Sequence, residues 1–303
     1  MRNTIVLGAM ILCACLLLNQ PAQSESRSGN PAVSGRNSLH LDTYVAGDEA
    51  WNVTSTIIYG KTESILVDSQ YFKSDAVKLA DRLAATRTRL KAIIITHPHE
   101  DHYLGLETIH QRFPDAPIYI SAPGLEEFKR YAPQEIATIK KKHPAEAPDS
   151  LPTPEVFPAT RFLVDGRPVE IMEGHADEPQ SPNSYVWLPS LRVVIAGDII
   201  FNHVHAWLGN SNEQSRANWL QSLDALAALN PRTVVGGHKL PTVKDSPDAI
   251  AFNAGYIRDF EAVRKSASNA DEFIAMMKAK YPNAGQADTL LALTAKRMFR
   301  KKS

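Results

Sequence analysis

From residue 39 onward the apolar positions switch repeatedly between two spacings, one extended and one helical. Leu39–Val45, Asn52–Tyr59 and Ser64–Asp68 are β-prone segments separated by the turn pairs Gly47-Asp48 and Gly60-Lys61, and they predict three strands. Residues 72–86 place Phe72, Ala76, Leu79, Ala80 and Leu83 on one stripe and predict an amphipathic helix. A buried strand at Ile93–Ile95, a helix at Leu104–Arg112 and a strand at Pro117–Ser121 follow. Residues 123–142 read as a helix interrupted at Pro133 and ending in Lys140-Lys141-Lys142. Prolines at 144, 148, 152, 154 and 158 predict a loop or lid edge, too proline-rich for a central strand. Further strands are expected at Pro168–Met172, Ser184–Leu188, Arg192–Ala196 and Thr233–Val235, with a helix at Asn212–Leu229. Two or three helices fill the chain from Ser246 on. Strands interleaved with helices predict a layered α/β core with helices outside.

The first residues break this pattern. Arg2 precedes an apolar run from Ile5 to Leu18, and small residues follow at Ala22 and Ser24. That is the order of a secretory leader, residues 1–24, with cleavage after Ser24. The run is short for a membrane span, and the alternative reading is an uncleaved anchor. A polar lead-in, 25–38, would then join a single domain, 39–303, which takes in the C-terminal helices. Both cysteines, Cys13 and Cys15, fall in the leader, so the mature chain has neither a disulfide nor a thiolate ligand. These features place the mature protein in the periplasm or outside the cell. Formal net charge is zero, which gives no electrostatic case for nucleic acid or an anionic membrane and leaves a small molecule as the expected partner. Oligomeric state is not readable from the chain.

The chemistry concentrates where predicted strands end. Directly after the apolar 91–96 run comes His97-Pro98-His99-Glu100-Asp101-His102, three imidazoles and an aspartate within six residues. Neutral imidazole and carboxylate are ready ligands for zinc and other first-row divalent metals. Three further strand ends each carry a glycine before a candidate ligand: Gly174-His175, Gly197-Asp198 and Gly237-His238. Glycine there lets the backbone turn sharply and approach a metal without a Cβ in the way.

Together these motifs resemble the metallo-β-lactamase superfamily. The match consists of His-x-His-x-Asp-His at 97–102, Gly-His at 174–175, Ala-Gly-Asp at 196–198 and Gly-Gly-His at 236–238, with Val67-Asp68 as an early strand-end aspartate. The resemblance runs from about residue 40 to 240. It implies an αββα four-layer sandwich with the site at one edge of two sheets. It also implies two zinc ions, with iron or manganese compatible with the same donors. His97, His99 and His175 would hold one ion, Asp101, His102 and His238 the other, and Asp198 would bridge them. Asp68 would orient a ligand from behind. The implied reaction is hydrolysis by a metal-bridging hydroxide, with Asp101 orienting the nucleophile. Asp198 tilts the likeness toward the glyoxalase II and lactonase branches, acting on an ester, lactone or thioester. A β-lactamase and a di-iron redox protein of the same fold are the alternatives.

Side chains for the substrate pocket are expected nearby. His203, His205 and Trp207 alternate, so they share one face if the chain is extended there. Tyr103 follows the ligand motif and is placed to reach an oxyanion, and Lys239 to meet a substrate carboxylate.

Overall fold

The computed structural model describes residues 38–176 and 182–300. The expected leader, nearly all of the lead-in, and residues 177–181 lie outside the described residues.

The first sheet grows from an antiparallel meander, β1 (His40–Val45), β2 (Thr54–Tyr59) and β3 (Glu63–Val67). Beyond β3 the added strands are parallel: β4 (Arg89–Ile94), β5 (Ile118–Ile120) and the two-residue β6 (Glu155–Val156). The second sheet contains β7 (Arg161–Val164), β8 (Arg167–Ala176), β9 (Pro182–Leu188) and β10 (Val193–Ile195). After the short β11 (Phe201–Asn202), β12 (Thr233–Val235) runs parallel to β10, and β13 (His238–Lys239) pairs with β11. The spatial order in this sheet is β12-β10-β9-β8-β7.

Alternation along the strands builds the layers. In β3 and β4, Ile65, Val67, Ala92 and Ile94 face the second sheet, meeting Val169, Ile171, Val186, Val193 and Ile195. Leu66 and Ile93, one residue out of phase, face the opposite way. Strands covered on both faces must be apolar throughout, which is why the stretch before His97 is a continuous apolar run. Each fully buried Ile or Leu here contributes roughly 1.5–3 kcal/mol relative to exposure. Four helices follow strands of the first sheet: α1 (Lys73–Ala85), α2 (Glu100–Tyr103), α3 (Leu106–Arg112) and α4 (Ala122–Lys142). Leu79, Leu83, Ile109, Leu125 and Phe128 from α1, α3 and α4 cover its outer face. The outer face of the second sheet is covered by α5 (Glu213–Ala228), α6 (Asp248–Ser266), α7 (Ala270–Lys280), a π-helical turn (Ala287–Leu291) and α8 (Ala292–Met298). The result is the four-layer αββα order expected from the motifs.

Two local expectations change. Helix α4 runs unbroken through Pro133. Pro133 is exposed, so the carbonyl it displaces faces water, where the lost bond costs least. The proline-rich stretch also contributes a strand, but only the short edge strand β6, where a missing N–H is tolerated. Strand β7, at Arg161–Val164, follows directly and had no signal of its own.

Candidate metal centre

Strands β3 and β4 are parallel, as are β10 and β12, so their carboxyl ends open on a common edge. Each end delivers a polar residue. Val67 leads to Asp68, Ile94 to His97, Ile195 to Asp198 and Val235 to His238. The turns tolerate little else. Gly197 has φ +52°, and a Cβ there would lie 2.8 Å from Thr96 Oγ1. A Cβ on Gly237 would collide with Asp198 Oδ1. Glycine is therefore needed at both turns for space, and at Gly197 for backbone freedom as well.

Six donors converge in two groups, His97, His99 and Asp198 in one and Asp101, His102 and His238 in the other. In the first, His97 Nε2 lies 2.9 Å from His99 Nδ1, and Asp198 Oδ2 is 3.4 Å and 3.5 Å from those nitrogens. In the second, Asp101 Oδ2 is 3.1 Å from His238 Nε2 and 3.8 Å from His102 Nε2. Asp198 Oδ1 turns toward this second group, 3.1 Å from His102 Nε2 and 3.3 Å from His238 Nε2. One carboxylate thus gives one oxygen to each group.

The outer ring nitrogens fix which atoms face inward. Asp68 holds a left-handed backbone, φ +59°, and accepts from Thr96 N at 2.8 Å and Thr96 Oγ1 at 2.9 Å. Thr96 Oγ1 gives its only proton to Asp68, so it accepts from His97 Nδ1, 2.9 Å away. His102 Nδ1 donates to Asp68 Oδ2 at 2.8 Å, and His238 Nδ1 donates to the Trp51 carbonyl at 2.9 Å. With Nδ1 protonated on all three, the Nε2 lone pairs point into the centre, the arrangement of metal-ligating histidines.

This donor set fits divalent cations. It is all nitrogen and oxygen, and its members are buried except for the partly exposed His99. His102 Nε2 and Asp198 Oδ1 have no hydrogen-bond partner although both are buried. Such orphaned atoms cost about 1–3 kcal/mol each, a cost that a cation removes. The electrostatics agree. Burial, with His102 and His99, drives His97 down to about 4 despite Asp198, which keeps the ring neutral. Burial also opposes a proton on His238, but Asp198 and Asp101 override it and raise it to about 9. Asp101, Asp68 and Asp198 likewise hold His102 well above the usual imidazole range against burial. Burial pushes the carboxyls up, yet His238, His102 and His97 keep Asp198 well below its ordinary value, and His102 and His238 bring Asp101 down to about 2. Without metal, protons on two histidines supply the positive charge that the carboxylates demand.

A sequence profile of the metallo-beta-lactamase superfamily matches residues 48–238, more than half of the chain. The chain belongs to that superfamily. A superfamily protein from Thermus thermophilus has the same fold, with a TM-score of 0.59 and 19% identity, over 86% of this chain and 91% of that one. Shorter likenesses join it to two enzymes. One is the hydroxyacylglutathione hydrolase of Francisella tularensis subsp. novicida, 35% identical over 63 residues, 21% of this chain and 23% of the relative. The other is the coenzyme F420H(2) oxidase of Methanocaldococcus jannaschii, 29% identical over 82 residues, 25% of this chain and 20% of the relative. The chain therefore matches only about a fifth of the length of these relatives.

The centre opens into a cleft of about 340 Å³. His99, Asp101, Asp198 and His238 lie at its base, and Trp51, Trp207, Glu100, Glu135, Lys142, Leu290 and Arg297 are among its walls. Of the side chains expected there on sequence grounds, Trp207 is present and the others are elsewhere. Tyr103 is one residue past His102 on a helical turn, which rotates it by about 100°. Its ring packs on Phe128 at 4.9 Å in the core. His203 has φ +59°, so the chain is not extended there and the expected alternation fails. Its ring stacks on Phe252 at 4.6 Å. His205 is buried and bonds Tyr256 Oη at 2.9 Å, and burial lowers it to about 4. Lys239 is buried against Asp245 Oδ1 at 2.5 Å and does not line the cleft. His175, also expected as a ligand, is in neither group of donors. The β8–β9 register shifts between Met172 and His175, and the His175 ring lies 4.7 Å from Tyr185. Trp51, Glu135, Leu290 and Arg297 had no sequence motif to announce them. The i, i+3, i+7 spacing of Leu290, Leu293 and Arg297 was the one available signal.

Proposed function

We propose that this protein is a periplasmic or secreted hydrolase that uses two zinc ions to cleave an ester, lactone, thioester or related acyl bond in a small molecule. The observation that carries this reading is the division of the Asp198 oxygens between two donor groups at the base of one cleft. Superfamily membership and the short likeness to a hydroxyacylglutathione hydrolase support it. The apolar run from Ile5 to Leu18 supports export.

His97, His99 and Asp198 would hold one ion, and Asp101, His102, His238 and the second oxygen of Asp198 the other. Bound there, the pair supplies a strong nucleophile at neutral pH and polarises the scissile carbonyl. The chain's own groups do the rest. Asp68, Thr96 and the Trp51 carbonyl keep the ligand rings aimed. Asp101 is both a donor and a cleft residue, so its carboxylate orients the attacking water and passes a proton toward the leaving group. Trp51 and Trp207 narrow the cleft and limit bulk water over the reacting carbon. In the net reaction a water oxygen joins the acyl carbon, the acyl–oxygen or acyl–sulfur bond breaks, and the leaving atom takes a proton. The acid product releases the other proton.

A hydrolysis screen on the metal-loaded protein tests the proposal, with simple esters, acyl lactones, thioesters, β-lactams and phosphotriesters, and His97→Ala as control. Turnover of an acyl substrate that His97→Ala abolishes is the expected result. Full zinc occupancy without turnover of any acyl bond would refute it. The likeness to an F420H(2) oxidase favours one second reading, an iron-loaded redox centre on the same donors. Metal analysis of protein purified without added metal decides between them. The mass of the exported chain tests cleavage after Ser24.

A further inference from the structure

The cleft has a second wall, and it comes from residues beyond the span that the superfamily profile matches. Leu290, Leu293 and Arg297 follow one another at i, i+3 and i+7 along the π-helical turn and α8, so they share a face. Exposure rises along that face, from 6% at Leu290 to 46% at Leu293, with Arg297 also exposed. Leu290 is therefore deep in the cleft and Arg297 at its mouth, with about 10 Å of helix rise between them.

This wall is fixed rather than draped. Gln286, with φ +64°, starts it and donates from Nε2 to Asn52 Oδ1 at 2.6 Å and to the Asp48 carbonyl at 3.3 Å. Asn52 adjoins Trp51, whose carbonyl aims His238. Gly285 exchanges backbone bonds of 2.9 Å with His203 and His205, and Leu208 N donates to Thr294 Oγ1 at 3.2 Å. The wall is thus tied to both segments that carry the cleft tryptophans.

Charge around the cleft is uneven. Glu100 and Glu135 stand on the side of α2 and α4 and offer an anion no partner. Lys142, on the same side, faces Glu135 and works against the upward push that burial gives that carboxyl. Arg297 makes no hydrogen bond or ion pair among the described residues. An exposed guanidinium above an apolar stripe is suited to a planar anion at the end of an apolar chain.

We propose that α8 makes the protein selective for anionic amphiphiles: acyl substrates whose apolar chain lies against Leu290, Leu293, Trp51 and Trp207 and whose distal carboxylate pairs with Arg297. This rests on the hydrolase reading above, so turnover and binding are tested separately.

The turnover test uses metal-loaded full-length protein and two series of para-nitrophenyl acyl esters of matched length, one ending in a methyl group and one in a carboxylate. Succinate, adipate, suberate and sebacate hemiesters form the second series. The wild type should prefer the carboxylate series at the adipate-to-sebacate lengths by about tenfold in kcat/KM. Arg297→Gln should remove the preference by raising KM for the carboxylate series, and Arg297→Lys should recover part of it. Equal turnover of both series, unaltered by Arg297→Gln, would overturn the inference while leaving the hydrolase reading intact. Binding is read by quenching of tryptophan fluorescence with suberate on the same metal-loaded protein. Saturable quenching that weakens about tenfold in Arg297→Gln supports the inference even if no ester is cleaved. No quenching, or quenching indifferent to the substitution, overturns it whatever the turnover.

Discussion

On the strand-end side of the cleft, most donors are buried and the imidazoles of His97, His102 and His238 are each aimed by a hydrogen bond from behind. On the opposite side, Leu293 and Arg297 stand in solvent on a helix held by its Gln286 end and by Thr294. The first side tolerates little change, because three of its rings are held from behind and the turns at Gly197 and Gly237 leave no room for a Cβ. The second is a surface whose side chains can vary while the fold stands. Reaction chemistry belongs on the first kind of structure and substrate choice on the second. Substitutions on the two sides should therefore differ in kind: loss of metal and turnover on one, change of KM on the other.

The largest effect is expected at Asp198. Its two oxygens serve both donor groups, so Asp198→Ala should lower metal content at both positions and reduce turnover by about a thousandfold or more. Inductively coupled plasma mass spectrometry and kcat measured on one preparation check this. If metal content held at the wild-type level, the division of the carboxylate between two groups would be wrong. Asp68 touches no cleft residue except through His102 and Thr96. Asp68→Asn should weaken metal affinity by about 10–100-fold with little change in KM at saturating metal, measured by competition with a chromogenic chelator.

Metal and protons compete on the same side. His238, raised to about 9, and His102, raised well above its usual range, both hold protons at pH 7 in the metal-free protein. Loading at pH 7 should release about two protons per chain. Titration in buffers of different ionisation enthalpy counts them. The sign follows from the raised values. Without metal, these histidine–carboxylate contacts stabilise the fold fully below the unfolded value of 6.5, and that contribution fades as pH rises through about 9.

The smallest effect lies behind the second side. His205 is buried neutral and lowered to about 4. Between pH 6.5 and 4 the unfolded chain takes up a proton that the folded chain refuses. Stability is therefore intact above pH 6.5 and falls as pH drops through that window, by up to about 2 kcal/mol near pH 5. Thermal melts should show this slope in the wild type and a flatter one in His205→Asn.

How far the sequence foretold each side follows from the same contrast. The candidate donors at strand ends were legible because the apolar run before His97 fixes where the strand stops, and glycines mark the other turns. His175 lies outside both donor groups, with its ring against Tyr185 and a register shift in the β8–β9 pair just before it. Tyr103, His203 and His205 were placed by adjacency or by assumed extension. A helical turn at Tyr103 and a left-handed residue at His203 send those side chains away from the cleft. The α8 wall was illegible for another reason. Its ties to the centre are long-range: Gln286 bonds Asn52, 234 residues earlier in the chain, and Thr294 bonds Leu208, 86 residues earlier.

The most direct test of the central claim is anomalous diffraction at the zinc edge from crystals of the zinc-loaded protein. Two peaks are expected, one among His97, His99 and Asp198 and the other among Asp101, His102 and His238, with Asp198 contacting both. A single peak, or two peaks of which Asp198 touches only one, would contradict the account.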